Sequence, residues 1–346
     1  MNSTLARLKG GGSLTRDELT TLIGCRGEEA KQLRDCAVRT ARQRFGRALY
    51  LRGLIEISSY CRNNCYYCGL RASNSSAERY RLSHTEILEC CQRGYDAGLR
   101  TFVLQGGEDN YWSDERLVPL VKAIRTQFAD VAITLSLGER SESSYRALKA
   151  AGADRYLLRH EAANRALYNS IHPSTMSYDN RIECIKTLID TGYQTGMGMM
   201  IGVAGQSIDN IAEDIELIAS LRPQMVGIGP FIPHPATPFA KEGAGSIELT
   251  LNTIAIVRLL LPAALIPATT ALSTLCNGSH REAIEAGANV IMPNLSPTSV
   301  RSKYAIYSGK ASSGAEAVEG IEALRSELES IGYTINFNRG DYNEHI

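Results

Sequence analysis

Short apolar runs alternate with longer amphipathic stretches over most of the chain after residue 50. The short runs are rich in β-branched residues and are bounded by glycine, proline or polar residues, which is the pattern of buried strands. The longer stretches repeat their apolar residues at the spacing of one helix face. Runs of the first kind predict eight strands, at residues 54–58, 101–105, 132–137, 155–159, 195–201, 225–229, 266–270 and 289–293.

Helices are predicted between these strands. Eight strands that each lead into a helix are typical of a closed parallel barrel, although periodicity alone also allows an open parallel sheet. We therefore interpret residues 51–306 as an α/β domain, a full (β/α)8 barrel of the TIM type. The candidate helices lie at residues 86–97, 117–128, 141–150, 182–191 and 208–221.

The segments on either side of the barrel are predicted to differ from it. Residues 1–50 are expected to form an N-terminal helical extension, because Thr15 and Glu18 fit a capping box and an amphipathic stretch follows over residues 28–45. Residues 307–346 are expected to form a loop, a helix and a tail.

The composition favours an enzyme that acts on small molecules. Apolar residues make up 44% of the 346 residues, which is ample for a core. Lys plus Arg and Asp plus Glu both number 37, so no net charge attracts nucleic acid or an anionic membrane, and neither is expected as a partner. The N-terminal residues show no cleavage-site pattern and no long apolar run, and a cytoplasmic location is expected.

Three cysteines, Cys61, Cys65 and Cys68, follow the first predicted strand within eight residues. Three thiolates at this spacing can hold three corners of a 4Fe-4S cluster and leave the fourth iron open for a substrate. A structural zinc site needs a second pair of ligands, and a ferredoxin-like carrier needs a fourth cysteine in the run. The sequence shows neither, which leaves chance clustering of buried cysteines as the remaining alternative.

Polar residues are predicted to face the barrel interior. Alternate residues of a strand face the same side, so Arg155, Arg159 and Glu161 share one face of the fourth strand, and Thr134 and Ser136 share one face of the third. Buried charges must be paired or bound to a ligand, so a structural Arg–Glu pair is one interpretation and an anion-accepting lumen is the one we favour. The candidate catalytic residues of this lumen are Arg155, Arg159, Thr134, Thr269 and Thr270.

The C-x3-C-x2-C spacing, with Tyr67 before the last cysteine, resembles the cluster loop of the radical S-adenosylmethionine (SAM) superfamily. The resemblance implies one 4Fe-4S cluster on Cys61, Cys65 and Cys68, with SAM bound at the open iron. An electron from a low-potential donor would then cleave SAM to methionine and a 5'-deoxyadenosyl radical. By the same resemblance, the SAM contacts are Tyr67, Gly106, Gly107, Glu108, Ser136, Glu161 and Arg181.

Longer runs of the sequence resemble one family within this superfamily, the HydE maturases of FeFe-hydrogenase. The resemblance implies a barrel that helps to build the di-iron subcluster of the hydrogenase active site. Its substrate would be an iron-carbonyl-cyanide cysteine complex delivered by another hydrogenase maturase, and the radical would attack it inside the barrel. The runs lie at residues 103–109, 134–139, 156–161, 226–235, 266–271 and 289–294.

Related functions remain open at this point. Biotin synthase needs cysteines for a second cluster at several strand ends, where this chain has Gln105, Ser136, Met200 and Thr269. Methylornithine synthase, a radical SAM mutase that acts on an amino acid, shares the cysteine loop and a single cluster, and is the nearer alternative. A barrel that acts only as an iron-sulfur scaffold is a third hypothesis, although such a scaffold has no need of the glycine-rich SAM segment.

The remaining cysteines are predicted to be structural. Some HydE proteins carry three further cysteines near the C-terminus, and residues 307–314 of this chain have none, so one cluster is expected. The other cysteines are expected to be small buried apolar groups. They are Cys25, Cys36, Cys90, Cys91, Cys184 and Cys276.

Overall fold

Six parallel strands form the main sheet of the protein, in a computed structural model that describes residues 2–9, 12, 14–310 and 318–344. The strands lie side by side in chain order, from the second to the seventh strand. This order is the one that successive right-handed strand-helix-strand units produce. The strands are β1 Ala48–Leu51, β2 Gly53–Ser58, β3 Thr101–Gly106, β4 Ala132–Ser136, β5 Arg155–Leu157, β6 Gln194–Ile201, β7 Met225–Pro230, β8 Val290–Ile291 and β9 Thr334–Asn336.

Backbone hydrogen bonds close the gap between β7 and β2. Val226 N donates to Leu265 O at 3.1 Å, and Ala268 N donates to Val290 O at 2.8 Å. Leu54 N then donates to Pro293 O at 2.9 Å. The ring of parallel segments is therefore complete, and its interior is the barrel lumen.

The predicted strand at residues 266–270 is shorter than expected. The segment forms isolated parallel bridges, Leu265 with Met225 and Pro267 with Val290, instead of a continuous strand. Pro267 has no N–H to donate, and Thr269 already caps the helix that begins at Thr270. The eighth predicted strand is likewise reduced, to Val290–Ile291.

Helices alternate with the barrel strands as the sequence predicts. The capping box at Thr15 and Glu18 is confirmed, and a second one at Ser83 and Glu86 begins the first barrel helix. No helix in the described part of the chain combines the length and the apolar character needed to cross a membrane. The helices are α1 Asn2–Lys9, α2 Arg16–Gly24, α3 Gly27–Phe45, α4 His84–Asp96, α5 Asp114–Gln127, α6 Glu142–Ala150, α7 Arg165–Ile171, α8 Tyr178–Asp190, α9 Ile208–Leu221, α10 Ile247–Leu260, α11 Thr270–Leu275, α12 Arg281–Ile284, α13 Thr298–Arg301 and α14 Ile321–Ser330, with a short 3-10 helix at Val318–Gly320.

A small second sheet was missed by the sequence reasoning. Helix α3 ends at Phe45 and is capped by Gly46, which has a φ of +66°. The chain then enters β1 instead of remaining helical up to residue 50. Strand β1 pairs in parallel with β8 on one side and with β9 on the other. The C-terminal segment therefore joins the N-terminal one beside the barrel.

Arg155 lies at the floor of the barrel. The prediction that it joins Arg159 among the residues of an anion-accepting lumen is therefore wrong. Its Nη2 donates to Asp341 Oδ1 at 2.7 Å and to the Gly340 carbonyl at 3.0 Å. Its Nη1 donates to the hydroxyl of Thr101, the first residue of β3, at 3.2 Å. The side chain is fully buried, and it joins the C-terminal tail to the amino ends of the strands, opposite the mouth. Strand alternation gave the correct face but could not show that a tail 185 residues later supplies the partners.

Replacing Arg155 with methionine is expected to lower the free energy of unfolding by about 3 kcal/mol, because the buried acceptors that remain lose their donor. Urea unfolding followed by circular dichroism measures this loss. The matched control is Arg165→Met, which removes an exposed arginine paired with Asp179 and should change stability far less. Equal losses in the two variants would contradict the floor role of Arg155.

Candidate functional site

Cys61, Cys65 and Cys68 lie on the loop that leaves β2 at the mouth of the barrel, and all three are partly exposed. Burial raises the pKa of the Cys68 thiol to about 12, and the pKa values of Cys61 and Cys65 are raised for the same reason. Such thiols bind a metal only by releasing their protons to it. Within the described residues, no three His, Cys, Asp or Glu side chains converge on one ion.

Arg79 holds the two ends of the cysteine loop together. Its guanidinium donates to the carbonyl oxygens of Ser59 at 2.5 Å, Leu70 at 2.9 Å and Arg71 at 2.7 Å. Ser59 precedes the cysteines and the other two residues follow them. One side chain outside the loop therefore fixes its shape before any cluster binds.

Two glycines bring the next strand ends against the loop. A Cβ on Gly107 would lie 2.3 Å from the Tyr60 carbonyl oxygen and 2.6 Å from the Cys61 Cβ. A Cβ on Gly138, whose φ is +76°, would lie 1.9 Å from the Glu108 Cγ. Only glycine allows these approaches. The Gly106-Gly107-Glu108 segment, which the resemblance predicts to contact SAM, is thereby seated against Cys61.

A buried guanidinium joins three strand ends at the mouth. Arg181 Nε donates to Glu139 Oε1 at 2.6 Å, and its Nη1 donates to the Arg159 carbonyl at 2.7 Å. Its Nη2 lies 3.9 Å from Glu108 Oε1. Burial lowers the pKa of Arg181, but Tyr168 and Glu139 outweigh burial and the net shift of the pKa is upward. Arg181 is therefore a permanent cation at the centre of the site.

Glu108 is held in a fixed position by its neighbours. Its Oε1 accepts the Glu139 N–H at 3.1 Å, and its Oε2 accepts Arg62 Nε at 3.1 Å. The Arg62 side chain is half-exposed. Glu139 was not among the predicted site residues, although its place three residues after the end of β4 is a signal that could have identified it.

Several buried polar atoms in the mouth and lumen have no hydrogen-bond partner. Glu161 takes a positive φ of 64°, and its Oε2 lies 3.1 Å from Arg159 Nη2 without hydrogen-bond geometry. Buried polar groups in native proteins are nearly always satisfied, so this set fits the binding of polar ligands there. The unsatisfied atoms are Thr134 Oγ1, Arg159 Nε and Nη2, Glu161 Oε2 and the Tyr168 hydroxyl.

A buried His–Asp pair supports the turn that carries Glu161. His160 Nε2 lies 3.2 Å from Asp214 Oδ1, and the same oxygen accepts the Ala163 N–H at 2.5 Å. Both side chains are fully buried. Asp214 comes from α9, so sequence proximity could not reveal its role in placing Glu161.

Tyr67 is fixed by a neutral histidine. His172 Nδ1 lies 2.9 Å from the Tyr168 carbonyl, which can only accept, so this nitrogen carries the proton. The other ring nitrogen, Nε2, then accepts the Tyr67 hydroxyl at 3.1 Å. Burial, together with Arg181, lowers the pKa of His172 to about 3. Nothing in the sequence signalled this partner of Tyr67.

Glycines line the barrel wall beside Arg159. Strands β6 and β7 place Gly196, Gly198, Gly227 and Gly229 at alternate positions. A Cβ on Gly198 would lie 2.1 Å from the Gly227 carbonyl oxygen and 3.2 Å from the Arg159 Cγ, whereas a Cβ on Gly227 would meet no atom nearer than 3.9 Å. Gly198 therefore allows the two strands and Arg159 to approach closely, and open space remains only beside Gly227.

A C-terminal strap, defined as residues 301–310, lies over the mouth. Lys310 Nζ donates to Glu56 Oε1 at 2.6 Å, and Glu56, on β2, is fully buried. Gln105 Nε2 donates to the Tyr304 hydroxyl at 3.4 Å. The cysteine loop is attached to the same strap, since Gly69 N donates to the Ile306 carbonyl at 2.8 Å.

The other predicted residues are distributed around this site. Thr134 is buried in the lumen wall, and Ser136 ends β4 and is partly exposed. Thr269 Oγ1 lies 3.3 Å from the Ile228 carbonyl and caps α11, and Thr270 is the first residue of that helix. All the predicted residues except Arg155 therefore belong to the mouth or lumen.

The other six cysteines are buried and free, as predicted. Cys90 and Cys91 lie on α4, and Cys184 lies on α8. Residues 311–314, which belong to the segment used to predict a single cluster, lie outside the described residues.

Comparison with known proteins agrees with the geometry. The sequence model of the Radical SAM superfamily matches residues 55–218. The [FeFe] hydrogenase maturase subunit HydE of Thermotoga maritima is 46% identical over 269 residues, which cover 78% of this chain and 76% of that protein. The 3-methylornithine synthase of Methanosarcina acetivorans is 30% identical over 284 residues, 81% of this chain and 79% of that protein.

The fold is that of a solved radical SAM barrel. A crystal structure of methylornithine synthase (PylB) superimposes with a TM-score of 0.85 and 26% identity, and the match covers 96% of this chain and 97% of that one. The barrel and its three-cysteine loop thus define a radical SAM enzyme, a class that uses a 4Fe-4S cluster and SAM. Within that class, the chain belongs to the HydE family.

Acidification is expected to destabilise the chain through His172. Its pKa is about 3 when folded and about 6.5 when unfolded. Between these values the unfolded chain binds a proton that the folded chain does not, so stability falls as the pH drops through this window. His172→Gln cannot bind that proton, and its free energy of unfolding should fall less than the wild type's between pH 6.5 and about 4.5. Urea unfolding at several pH values tests this, and parallel curves would contradict it.

Proposed function

We propose that this chain takes part in the maturation of FeFe-hydrogenase by acting on a small anionic iron complex inside its barrel. The observation that carries the proposal is the 46% identity to a HydE maturase over 78% of the chain. The unsatisfied donor atoms of Arg159 and Thr134 support it from the structure. The substrate class that fits is an iron-carbonyl-cyanide complex of cysteine, because its cyanide ligands are anionic and the Arg159 guanidinium has buried donors without hydrogen bonds.

The residues at the mouth fit the cofactors of this chemistry. Cys61, Cys65 and Cys68 would hold the cluster, and a 4Fe-4S cluster with SAM supplies, when bound, a 5'-deoxyadenosyl radical. The glycine approaches described above give SAM a backbone surface next to Cys61. Further SAM contacts are proposed for Tyr67, Gly106, Gly107, Glu108, Ser136, Glu161 and Arg181.

The protein's own contribution is orientation and exclusion of water. Arg181 fixes Glu139 and the Arg159 carbonyl, so three strand ends keep one arrangement. The strap covers part of the mouth and is held to β2 through Lys310, and the tail closes the floor through Arg155. A reactive species formed in such an enclosure meets only the guest that the lumen holds.

Arg159 is the proposed anchor of the guest. Its guanidinium has two buried nitrogens without hydrogen bonds, and it lies over the glycine-lined wall at Gly198. An anion placed there would satisfy those donors, of which Nη2 lies 3.1 Å from Glu161 Oε2 without hydrogen-bond geometry. Charge-assisted hydrogen bonds of this kind are shorter and stronger than neutral ones.

The partners and the compartment follow from this chemistry. An external low-potential donor must supply the electron, and another hydrogenase maturase would deliver the iron complex. A thiolate-bound cluster requires reducing surroundings, so the cytoplasm is the proposed location.

A second candidate is an amino-acid mutase of the methylornithine synthase type. It is favoured by the TM-score of 0.85 over 96% of the chain. Such an enzyme needs lumen groups that bind both an ammonium and a carboxylate. Incubation with lysine, an isomer of methylornithine, under reducing conditions with SAM distinguishes the two candidate functions. Conversion of lysine would favour the mutase.

The test of the proposed function is anaerobic reconstitution with iron and sulfide, followed by reduction with dithionite. The readouts are the cluster's EPR spectrum before and after SAM, and the formation of 5'-deoxyadenosine. A SAM-dependent spectrum with product formation supports a radical SAM enzyme, and consumption of an iron-carbonyl-cyanide cysteine complex supports the maturase. A cluster that does not respond to SAM contradicts both.

Cys65→Ser is expected to abolish SAM cleavage, because the proposed cluster loses one of its three ligands. The fold should remain intact, because the loop lies at the surface and Arg79 holds its ends. Iron content and 5'-deoxyadenosine are measured after reconstitution, and unfolding is measured by circular dichroism. Cys276→Ser is the control, since that cysteine lies at the end of α11 away from the loop. Unchanged SAM cleavage, or loss of the fold, in Cys65→Ser would count against the assignment.

Arg159→Leu is expected to reduce turnover of the iron complex by about 100-fold, because the anionic guest loses its cation. SAM cleavage without the guest should persist, since the carbonyl that binds Arg181 belongs to the backbone. Arg159→Lys keeps the charge and should recover part of the turnover. Equal loss of both activities in Arg159→Leu would instead place this residue in the SAM site.

A further inference from the structure

Two tyrosines next to the cysteine loop are unusual in this chain. Tyr60 and Tyr111 are the large hydrophobic residues that count as exposed in the described part of the chain, at 37% and 39%. The Arg81 guanidinium lies between them, 3.8 Å from the Tyr60 ring centroid and 4.9 Å from that of Tyr111. Arg116 covers Tyr111 at 4.3 Å. We call these four residues the rim stack.

The rim stack is rigid. Arg81 donates to both oxygens of Asp109, at 2.7 and 2.9 Å, and Ser58 donates to the same carboxylate at 2.6 Å. The Tyr111 ring meets the buried Trp112 edge-on at 5.4 Å. An exposed surface that is already ordered loses little entropy when a partner binds. Tyrosine and arginine are also the residues that dominate binding energy in protein interfaces.

The charge around the stack is positive, although the chain has no net charge. Among the described residues, Arg71, Arg79 and Arg116 have no carboxylate within ion-pair distance in the structure. Arg71 Nε is buried without a hydrogen bond. Glu78 is paired with Lys303, and Glu115 beside Arg116 reduces the surplus without cancelling it. The complementary partner is therefore acidic.

The stack is contiguous with a ligand of the cluster. Tyr60 directly precedes Cys61, and its carbonyl oxygen lies against Gly107. The cleavage of a sulfonium to methionine and a carbon radical consumes one electron. The proposed reaction thus needs a reductant from outside the chain, and its electron must enter near the cysteine loop.

We propose that the rim stack is the docking site for an acidic, low-potential one-electron carrier protein. The transfer moves one electron and no atoms: the carrier is oxidised by one electron and the cluster is reduced by one. This inference rests on the proposed radical SAM function and adds the surface through which the reducing partner acts.

Another occupant fits the surface less well. A second copy of this chain, docked through the same patch on both molecules, would bring the arginines of the two stacks together, and like charges in an interface are unfavourable. An acidic carrier instead neutralises them, and its association should weaken as salt increases.

The experiment compares dithionite and reduced ferredoxin as electron donors to the reconstituted protein. Arg116→Glu reverses one charge of the stack, and Tyr111→Ala removes one ring. Neither residue lies in the proposed cluster, SAM or guest site. Arg281→Glu, on an exposed arginine of α12, is the matched control. The probe is a bacterial ferredoxin with two 4Fe-4S clusters.

With dithionite, all variants should form 5'-deoxyadenosine within twofold of the wild type. With reduced ferredoxin, Arg116→Glu and Tyr111→Ala should raise the KM for ferredoxin at least fivefold, and Arg281→Glu should not. The Kd for oxidised ferredoxin, measured by calorimetry, should rise by a similar factor and should increase with salt for the wild type.

An unchanged KM and Kd in both stack variants would overturn the proposal, and so would an equal loss with dithionite and ferredoxin. Salt-sensitive self-association of the wild type, abolished by Arg116→Glu in sedimentation, would assign the surface to a second copy and overturn it as well. Absence of dithionite-driven cleavage in the wild type is a separate outcome, which contradicts the proposed function itself.

Discussion

The buried cation of Arg181 is the interaction on which the site depends. A guanidinium removed from water must be surrounded by acceptors, and Arg181 finds them in Glu139, the Arg159 carbonyl and, more distantly, Glu108. Glu139 follows β4, Arg159 follows β5 and Glu108 follows β3. One charge on α8 thereby fixes the relative position of three strand ends, and the glycines at 107 and 138 allow those ends to approach the cysteine loop.

Much of this arrangement could be predicted from the sequence, because it rests on local patterns. The cysteine spacing, the strand alternation and the capping box at Thr15 are all short-range signals, and the structure bears out the barrel that they indicate. All six strands of the main sheet were predicted within about two residues of their observed ends.

The parts that were missed depend on distant partners or on proline. Arg155 is satisfied by Asp341 and Gly340 of the tail, a pairing that no pattern near residue 155 can show. The prediction that Arg155 and Arg159 share one face of the strand was correct. Strand alternation, however, does not distinguish the floor of a barrel from its mouth. Pro267 ended a predicted strand early, and β1 was hidden at the end of a helical region. His172, Asp214 and Lys310 reach the site from other elements, so only the fold brings them there.

The closed floor has a kinetic meaning. The tail binds Arg155 at the floor, so a guest would enter and leave the lumen through the mouth, where Lys310 of the strap pairs with Glu56. If SAM binds at the mouth, a guest held deeper in the lumen would enter first and leave last. Steady-state rates should then follow an ordered sequence in which the guest binds before SAM. Excess SAM would occupy the mouth before the guest enters, and turnover would slow.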